Sequence, residues 1–523
     1  MVFAISQEQR ADLVGRVADG LAGIGFHSYG LTLEAGSLKD KAEEIEARAF
    51  SVAEVASSTT KESWSAGTGG ERPIAELIKL YAKKAGELMR DEALRLSETA
   101  KDASPAGGEA AADDADCFDL SSKDREFYTQ QRAEQVLKPL MAKGAKYSKV
   151  KLSTKSFGID AAKVVTKAFA NIASTLTEVD LSDIIAGRPE DEALKAMQII
   201  TEATLCAKIT AVDVSDNAFG EKGVRACAAM LQQQTGIESL SFQNNGISEQ
   251  AAAAILELLA SPQSLKKFHL DKNMTGDEGM VHVAALMAKA PKMEDFKMAG
   301  SRFTADGAKL LAQGLASGSS LTKINLTDNN VNEEGGVALA RMLFKQPNMR
   351  HVNLEATTLG PNAAGAVASA LAAGCPQLEY LNLTACDITP EGIPAVAKAV
   401  SAMKNLKELE IAENELGDFG VAQLCVALKM SGCPLTKLNV NTNEISNSGG
   451  VAAARLAASK AGFASLNLDD NYMADEAIEE VKSVMNAAGC GDALSAESND
   501  DDLAEEDDEN AAGIEAMLDH LKL

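Results

Sequence analysis

A motif of one short apolar pair followed by a polar residue recurs along most of this chain at a nearly constant interval, and that recurrence constrains the fold more than any other feature. Val212-x-Val214-Ser-Asp-Asn217 returns as Leu240-x-Phe242-Gln-Asn-Asn245 and again as Phe268-x-Leu270-Asp-Lys-Asn273. The frame continues at Ser301, Asn329, Thr357, Cys386, Asn414, Asn443 and Asn471, and runs back to Ile184 and Lys155. Successive positions are 28 or 29 residues apart, except for a step of 33 between Ile184 and Asn217. The apolar pair alternates with period two, as a short strand buried on one side requires. A helix-period run follows it: Val224, Cys227 and Leu231 in one unit, Val337, Ala340 and Leu343 in another. No single unit can bury both its strand face and its helix stripe, so neighbours must stack. The pattern predicts an α/β solenoid of about 12 repeats over residues 133–494, opened by a helical cap at 133–141.

The flanks lack the repeat. Helix-period stretches at 11–21, 38–55 and 74–96 predict a small all-α domain over residues 1–105, and the Ala-, Gly- and Asp-rich segment that follows reads as a linker over 106–132. Residues 495–523 carry a run of carboxylates from Glu497 to Glu509 with no base among them and read as a disordered acidic tail.

Composition narrows the function. The net charge of -26 opposes counterion-release binding to a phosphate backbone, and aromatic residues at 4% leave little for base stacking, so nucleic acid is not expected as a partner. The start of the chain has no apolar signal core, and no stretch approaches a membrane span, so an intracellular protein is expected. The eight cysteines form no C-x-x-C and fall largely in apolar runs, where a thiol acts as core filler. Phosphate-loop, zinc-protease and nucleophile-elbow motifs are missing, and the five histidines show no metal-ligand spacing. Self-contained turnover is not expected. Gly220-Glu-Lys-Gly223 and Gly276-Asp-Glu-Gly279 sit where each helix begins and read as turns.

A 28 to 29 residue unit with a full helix opposite each strand resembles the ribonuclease-inhibitor class of leucine-rich repeat, a horseshoe with a parallel sheet inside and helices outside. More specific wording follows. Glu178-Val-Asp-Leu-Ser-Asp-Ile-Ile-Ala-Gly-Arg-Pro-Glu190, Ser215-Asp-Asn-Ala-Phe-Gly-Glu-Lys-Gly-Val-Arg225 and Asn273-Met-Thr-Gly-Asp-Glu-Gly279 resemble the Ran GTPase-activating proteins of plants and green algae. Tyr29-Gly30, the Ala42–Phe50 segment and Leu80-Tyr-Ala-Lys83 resemble the WPP domain that plants append to that protein, but Phe3-Ala-Ile-Ser-Gln stands where Trp-Pro-Pro belongs.

The resemblance implies a protein that is not itself an enzyme. It would accelerate GTP hydrolysis on Ran in its GTP form, with GTP, Mg2+ and the catalytic glutamine all held by Ran and no cofactor of its own. It further implies ordering of that glutamine without an inserted arginine finger, a ternary complex with a Ran-binding protein, and a cytoplasmic location with docking at the nuclear envelope through residues 1–105. The missing Trp-Pro-Pro leaves that docking open. Carried over motif by motif, Asn244, Arg188 and Asn217 are the residues supporting hydrolysis, and Asp328, Asp216 and Arg188 are the contacts to the partner. Four have a plainer reading: Asn244 and Asp328 as solvated turn residues, Asn217 as a backbone-holding residue, Arg188 as one half of a structural salt bridge. The alternative for the whole protein is a leucine-rich-repeat scaffold that binds without catalytic effect.

Overall fold

The computed structural model describes residues 116–122, 125–500 and 511–522, all within a compact unit that starts at Asp114. The domain expected over 1–105 and the first part of the expected linker lie outside the described residues. Fourteen described strands, all but the last three residues long, pair in parallel in chain order from Cys117–Asp119 to Leu494–Ser495. The register never slips: the central residue of each strand faces the central residue of the next, as in Val179 to Val212 to Leu240 to Phe268. Those residues are at most 3% exposed, so a one-residue slip would turn each repeat's apolar pair out of the core.

Each strand leads through a turn to a helix that packs on its neighbours' helices, for example Glu190–Ala203, Gly276–Met287, Ala305–Leu315 and Asn332–Leu343. Packed helices need about 8–10 Å between axes whereas paired strands need about 4.8 Å, so the stack must curve with its strands inside. Two aspartates stitch successive helices together. Asp277 accepts the Thr304 and Gly307 N–H groups at 2.7 and 3.0 Å, and Asp418 accepts those of Ser446 and Gly449, both at 2.8 Å. Each carboxylate thereby satisfies the open N–H groups at the start of the next repeat's helix.

The polar residue after each strand forms a ladder through the core. Asn273 accepts the N–H groups of Asn245 and Ile247 and donates to the carbonyls of Phe242, Leu270 and Asp271, at 2.7 to 3.2 Å. Asn245, Asn329, Asn414 and Asn471 repeat the pattern in part or whole. Cys386 fills one place with a weaker bond from Sγ to the Leu354 carbonyl at 3.0 Å. All eight cysteines are free. Burial pushes the thiols of Cys227 and Cys375 up to about 12, which suits packing and not nucleophilic chemistry.

The structure corrects the sequence reading at both ends. The sheet has fourteen strands, not twelve, and its first strand falls inside the stretch 106–132 read as linker. There Phe118 pairs with Val150 across a step of 32 residues, and Glu126–Tyr128 pairs with Lys155–Phe157 in a separate two-stranded sheet. The helical cap expected over 133–141 appears as two short helices, Gln130–Val136 and Lys138–Met141.

The stretch 495–523 is likewise not a wholly disordered tail. Asn499 takes one more ladder place, donating to the Leu468 and Ala496 carbonyls at 3.2 and 3.3 Å. The helix Ala511–Leu521 packs on the helices Gly417–Ser431 and Asn447–Ala458. The reason is apolar spacing within the acidic composition: Ile514, Met517, Leu518 and Leu521 share one helix face, and Ile514 and Leu521 are buried. Lys429 and Arg455 close its C-terminal end by donating to the carbonyls of Lys522 and Leu518.

Candidate functional site

The residue just before each ladder position lies where the chain leaves the sheet for the helix layer, and it adopts the left-handed conformation: φ is 51° at Asp183, 59° at Asp216, 49° at Asn244, 55° at Lys272, 56° at Gly300 and 56° at Asp328. Asp, Asn and Gly tolerate that region best. Its N–H is spent on the next repeat, from Asp216 to the Gln243 carbonyl at 2.9 Å and from Asn244 to the Asp271 carbonyl at 2.8 Å. The side chain is left to project from the rim of the arc. Three of the five predicted site residues, Asp216, Asn244 and Asp328, therefore occupy one register position in different repeats, and all three are exposed.

Two of them touch. Asn244 Nδ2 donates to Asp216 Oδ1 at 2.8 Å. A carboxylate can only accept, so the amide nitrogen must face Asp216, and the Asn244 carbonyl oxygen is turned away from it. The strand end beneath is held by a second chain of bonds. Asp213 accepts the Ser215 N–H at 2.9 Å, and Ser215 Oγ accepts the N–H of Gln243, the residue before Asn244, at 3.0 Å. Burial, together with the like charge of Asp180, raises the Asp213 carboxyl above its ordinary range even against the Ser215 hydrogen bonds. Asp328 stands three repeats beyond Asn244, about 15 Å along the sheet at ordinary strand spacing. It leans toward Gly300, where an added Cβ would come within 3.4 Å of its carboxylate.

Asn217 is a different kind of residue. It is 7% exposed, accepts the Ile184 N–H, and donates to the carbonyls of Leu181, Val214 and Ser215. Every one of these side-chain bonds is to backbone.

Arg188 sits in the loop between Ile185 and Pro189, inside the 33-residue step. Its guanidinium is taken up internally: Nε donates to Ser156 Oγ at 3.1 Å, Nη2 to the carbonyls of Ser156 and Tyr128 at 2.8 and 3.2 Å, and Nη1 pairs with Glu192 at 3.1 Å. Phe127 lies against it with its ring centre 5.3 Å away. Two glycines make room. A Cβ on Gly158 would come within 2.8 Å of Arg188 Nη1, and one on Gly187, at φ 76°, within 2.8 Å of the Phe127 ring.

The side chain is 16% exposed, and the structure does not bring it to the Asp216–Asn244 pair. This geometry suits support of the loop through bonds that spacing in the sequence does not reveal, because Tyr128 and Ser156 are 60 and 32 residues away. Arg188→Ala is expected to cost about 2–3 kcal/mol of stability, since it strips several charge-assisted bonds at once. Arg188→Lys should recover little, because an ammonium lacks the planar fork. An unshifted Tm with lost activity would move Arg188 to the partner interface.

Comparison with known proteins adds to this geometry. The Leucine Rich repeat family profile matches residues 319–340, 374–397, 402–425 and 433–452. The body is a leucine-rich-repeat solenoid. Its fourteen strands extend that repeat well beyond the matched units, on both sides. Among characterised proteins, the leucine-rich-repeat chain is similar to RAN GTPase-activating protein 2 of Arabidopsis thaliana, 38% identical over 211 residues, 39% of this chain and 37% of that protein. It is also similar to RAN GTPase-activating protein 1 of the same plant, 35% identical over 198 residues, 38% of this chain and 36% of that protein. The matches thus span little more than a third of either relative. Ribonuclease inhibitor of Sus scrofa is 32% identical over 87 residues, 17% of this chain and 19% of that protein. Among the described residues no cluster of His, Cys, Asp and Glu is arranged to hold a metal ion, and no helix is long and apolar enough to cross a membrane.

Proposed function

We propose that this protein stimulates GTP hydrolysis by the small GTPase Ran, turning Ran-GTP into Ran-GDP in the service of nucleocytoplasmic transport and mitosis. The observation that carries the reading is the Asp216–Asn244 pair, an exposed carboxamide held at 2.8 Å in one orientation on a rigid rim. Similarity to the two RAN GTPase-activating proteins supports it.

Slow intrinsic hydrolysis by such a GTPase reflects a badly placed attacking water and uncompensated charge on the phosphoryl oxygens. With Nδ2 committed to Asp216, the Asn244 oxygen accepts an N–H of the partner's catalytic glutamine. That contact turns the glutamine's own oxygen toward the water. The contribution is positional: a free glutamine side chain samples several rotamers, and one fixed acceptor removes that freedom before the transition state is reached. The chain needs no cofactor for this, because Ran supplies GTP and Mg2+. No arginine finger is required in this scheme, and Arg188, with its N–H groups spent internally, is a poor candidate for one. Asp328 and Asp216 contact the GTPase, and a Ran-binding protein joins a ternary complex. The protein works in the cytoplasm, with residues 1–105 the segment to examine for docking at the nuclear envelope.

Phosphate release from GTP-loaded Ran, followed with and without the protein, tests the proposal. Acceleration of at least about a hundredfold is expected from ordering of the partner's glutamine and water. Tight binding with an unchanged rate would favour the scaffold reading.

A further inference from the structure

Acidic residues, among neutral ones such as Ala356, Ala385 and Thr442, recur at the register position that carries Asn244. Asp183 and Asp216 precede it, and Asp328, Glu413 and Asp470 follow. Among the described residues one cation stands at that position. Lys272 takes the rim position in the repeat after Asn244, and Arg302 and Met274 stand just past the ladder places of Ser301 and Asn273. Lys272 and Arg302 are exposed, and among the described residues neither carries an ion pair. Met274 is 51% exposed, one of few large apolar side chains left open, and it leans back toward the site: a Cβ on Gly246 would stand 3.8 Å from its Cε. Gly300 offers no side chain between Lys272 and Asp328.

An apolar side chain flanked by two unpaired cations, on the rim of a chain with net charge -26, is complementary to the opposite arrangement. We infer that Lys272, Met274 and Arg302 form the docking anchor for the GTP-loaded partner of the proposed function. That partner would present acidic side chains around an apolar residue, on the face that holds its nucleotide. The inference rests on that reading and deepens it. The anchor lies one to two repeats from Asn244, about 5–10 Å at strand spacing, so a partner seated on it brings its glutamine within reach of the Asn244 oxygen. Its role is to bind and not to enter the chemistry. The charges supply encounter rate and orientation, and Met274 fills an apolar contact that excludes water.

The test is single-turnover hydrolysis by GTP-loaded Ran at increasing concentrations of the full-length protein. It compares the wild type with Lys272→Asn/Arg302→Asn and, separately, Met274→Ser. Asparagine is chosen because Lys272 and Arg302 have φ of 55° and 65°, which it tolerates. The half-saturating concentration should rise about tenfold in the double variant, with the maximal rate unchanged and a weaker dependence on salt. Met274→Ser should raise it with the salt dependence intact. Glu413→Asn, at the same register position farther along the rim, should leave both constants alone.

Half-saturation like that of the wild type would overturn the anchor. So would a fall in maximal rate, which would put a cation in the chemistry. A wild-type dimer lost in the double variant, with hydrolysis unaltered, would assign the patch to a second copy of this chain. If the wild type itself fails to stimulate Ran, the proposed function falls and takes the anchor with it; if only the variants behave as wild type, the anchor alone falls.

Discussion

Asn244→Ala is expected to lower the maximal rate of stimulated GTP hydrolysis on Ran by about a hundredfold while leaving the half-saturating concentration and the fold nearly unchanged. The side chain is exposed and, among the described residues, its hydrogen bond runs to Asp216, so removing it opens no cavity. What disappears is a fixed acceptor, and a contact that matters chiefly in the transition state shows in the rate and not in binding. Asp216→Asn is a sharper form of the same experiment. An amide at 216 can donate as well as accept, so nothing holds the Asn244 nitrogen inward, and the two orientations become comparable. A several-fold loss of rate at unchanged stability is expected. Full activity in Asn244→Ala, measured in single turnover, would remove this residue from the mechanism.

Asn217→Ala should behave in the opposite way. The substitution leaves one buried N–H and three carbonyls without their side-chain partner, at Ile184, Leu181, Val214 and Ser215. Part of that deficit is recovered by water or by shifts at the edge, and a loss of about 3–4 kcal/mol is expected. In a solenoid the damage stays near the altered repeat and its neighbours, so urea unfolding should show an earlier transition with the distant repeats preserved. Hydrolysis per folded molecule should survive at low temperature. A variant as stable as the wild type but inactive would return Asn217 to the direct role that the family resemblance implies for it.

The repeat and the ladder were legible because both are written locally. The period of 28 or 29 follows from one side chain per turn meeting a fixed backbone demand, and Asn244 and Asn245 could be told apart because only one of two neighbours can face the core. The first strand, Cys117–Asp119, was hidden by its step of 32 residues and the low-complexity stretch before it. The closing helix, Ala511–Leu521, was hidden by composition: the acidic run masked the spacing of Ile514, Met517, Leu518 and Leu521. Arg188 was legible as special but not as internal, because its partners come from another repeat and meet it only through stacking. Nothing in the repeat spacing sets Lys272, Met274 and Arg302 apart. Their meaning depends on the shared rim position, which requires the left-handed backbone at each repeat to be seen.

The proposed function places the work of this rim on a nucleotide held by another protein. Its most direct measurement is hydrolysis of a large excess of GTP-loaded Ran by a small amount of this chain. The whole pool of Ran-GTP should be consumed, each molecule of the protein serving many of Ran in turn, and the pool should decay far more slowly with Asn244→Ala. Consumption no faster than Ran achieves alone, with the protein folded and bound to it, would rule out stimulation by this rim.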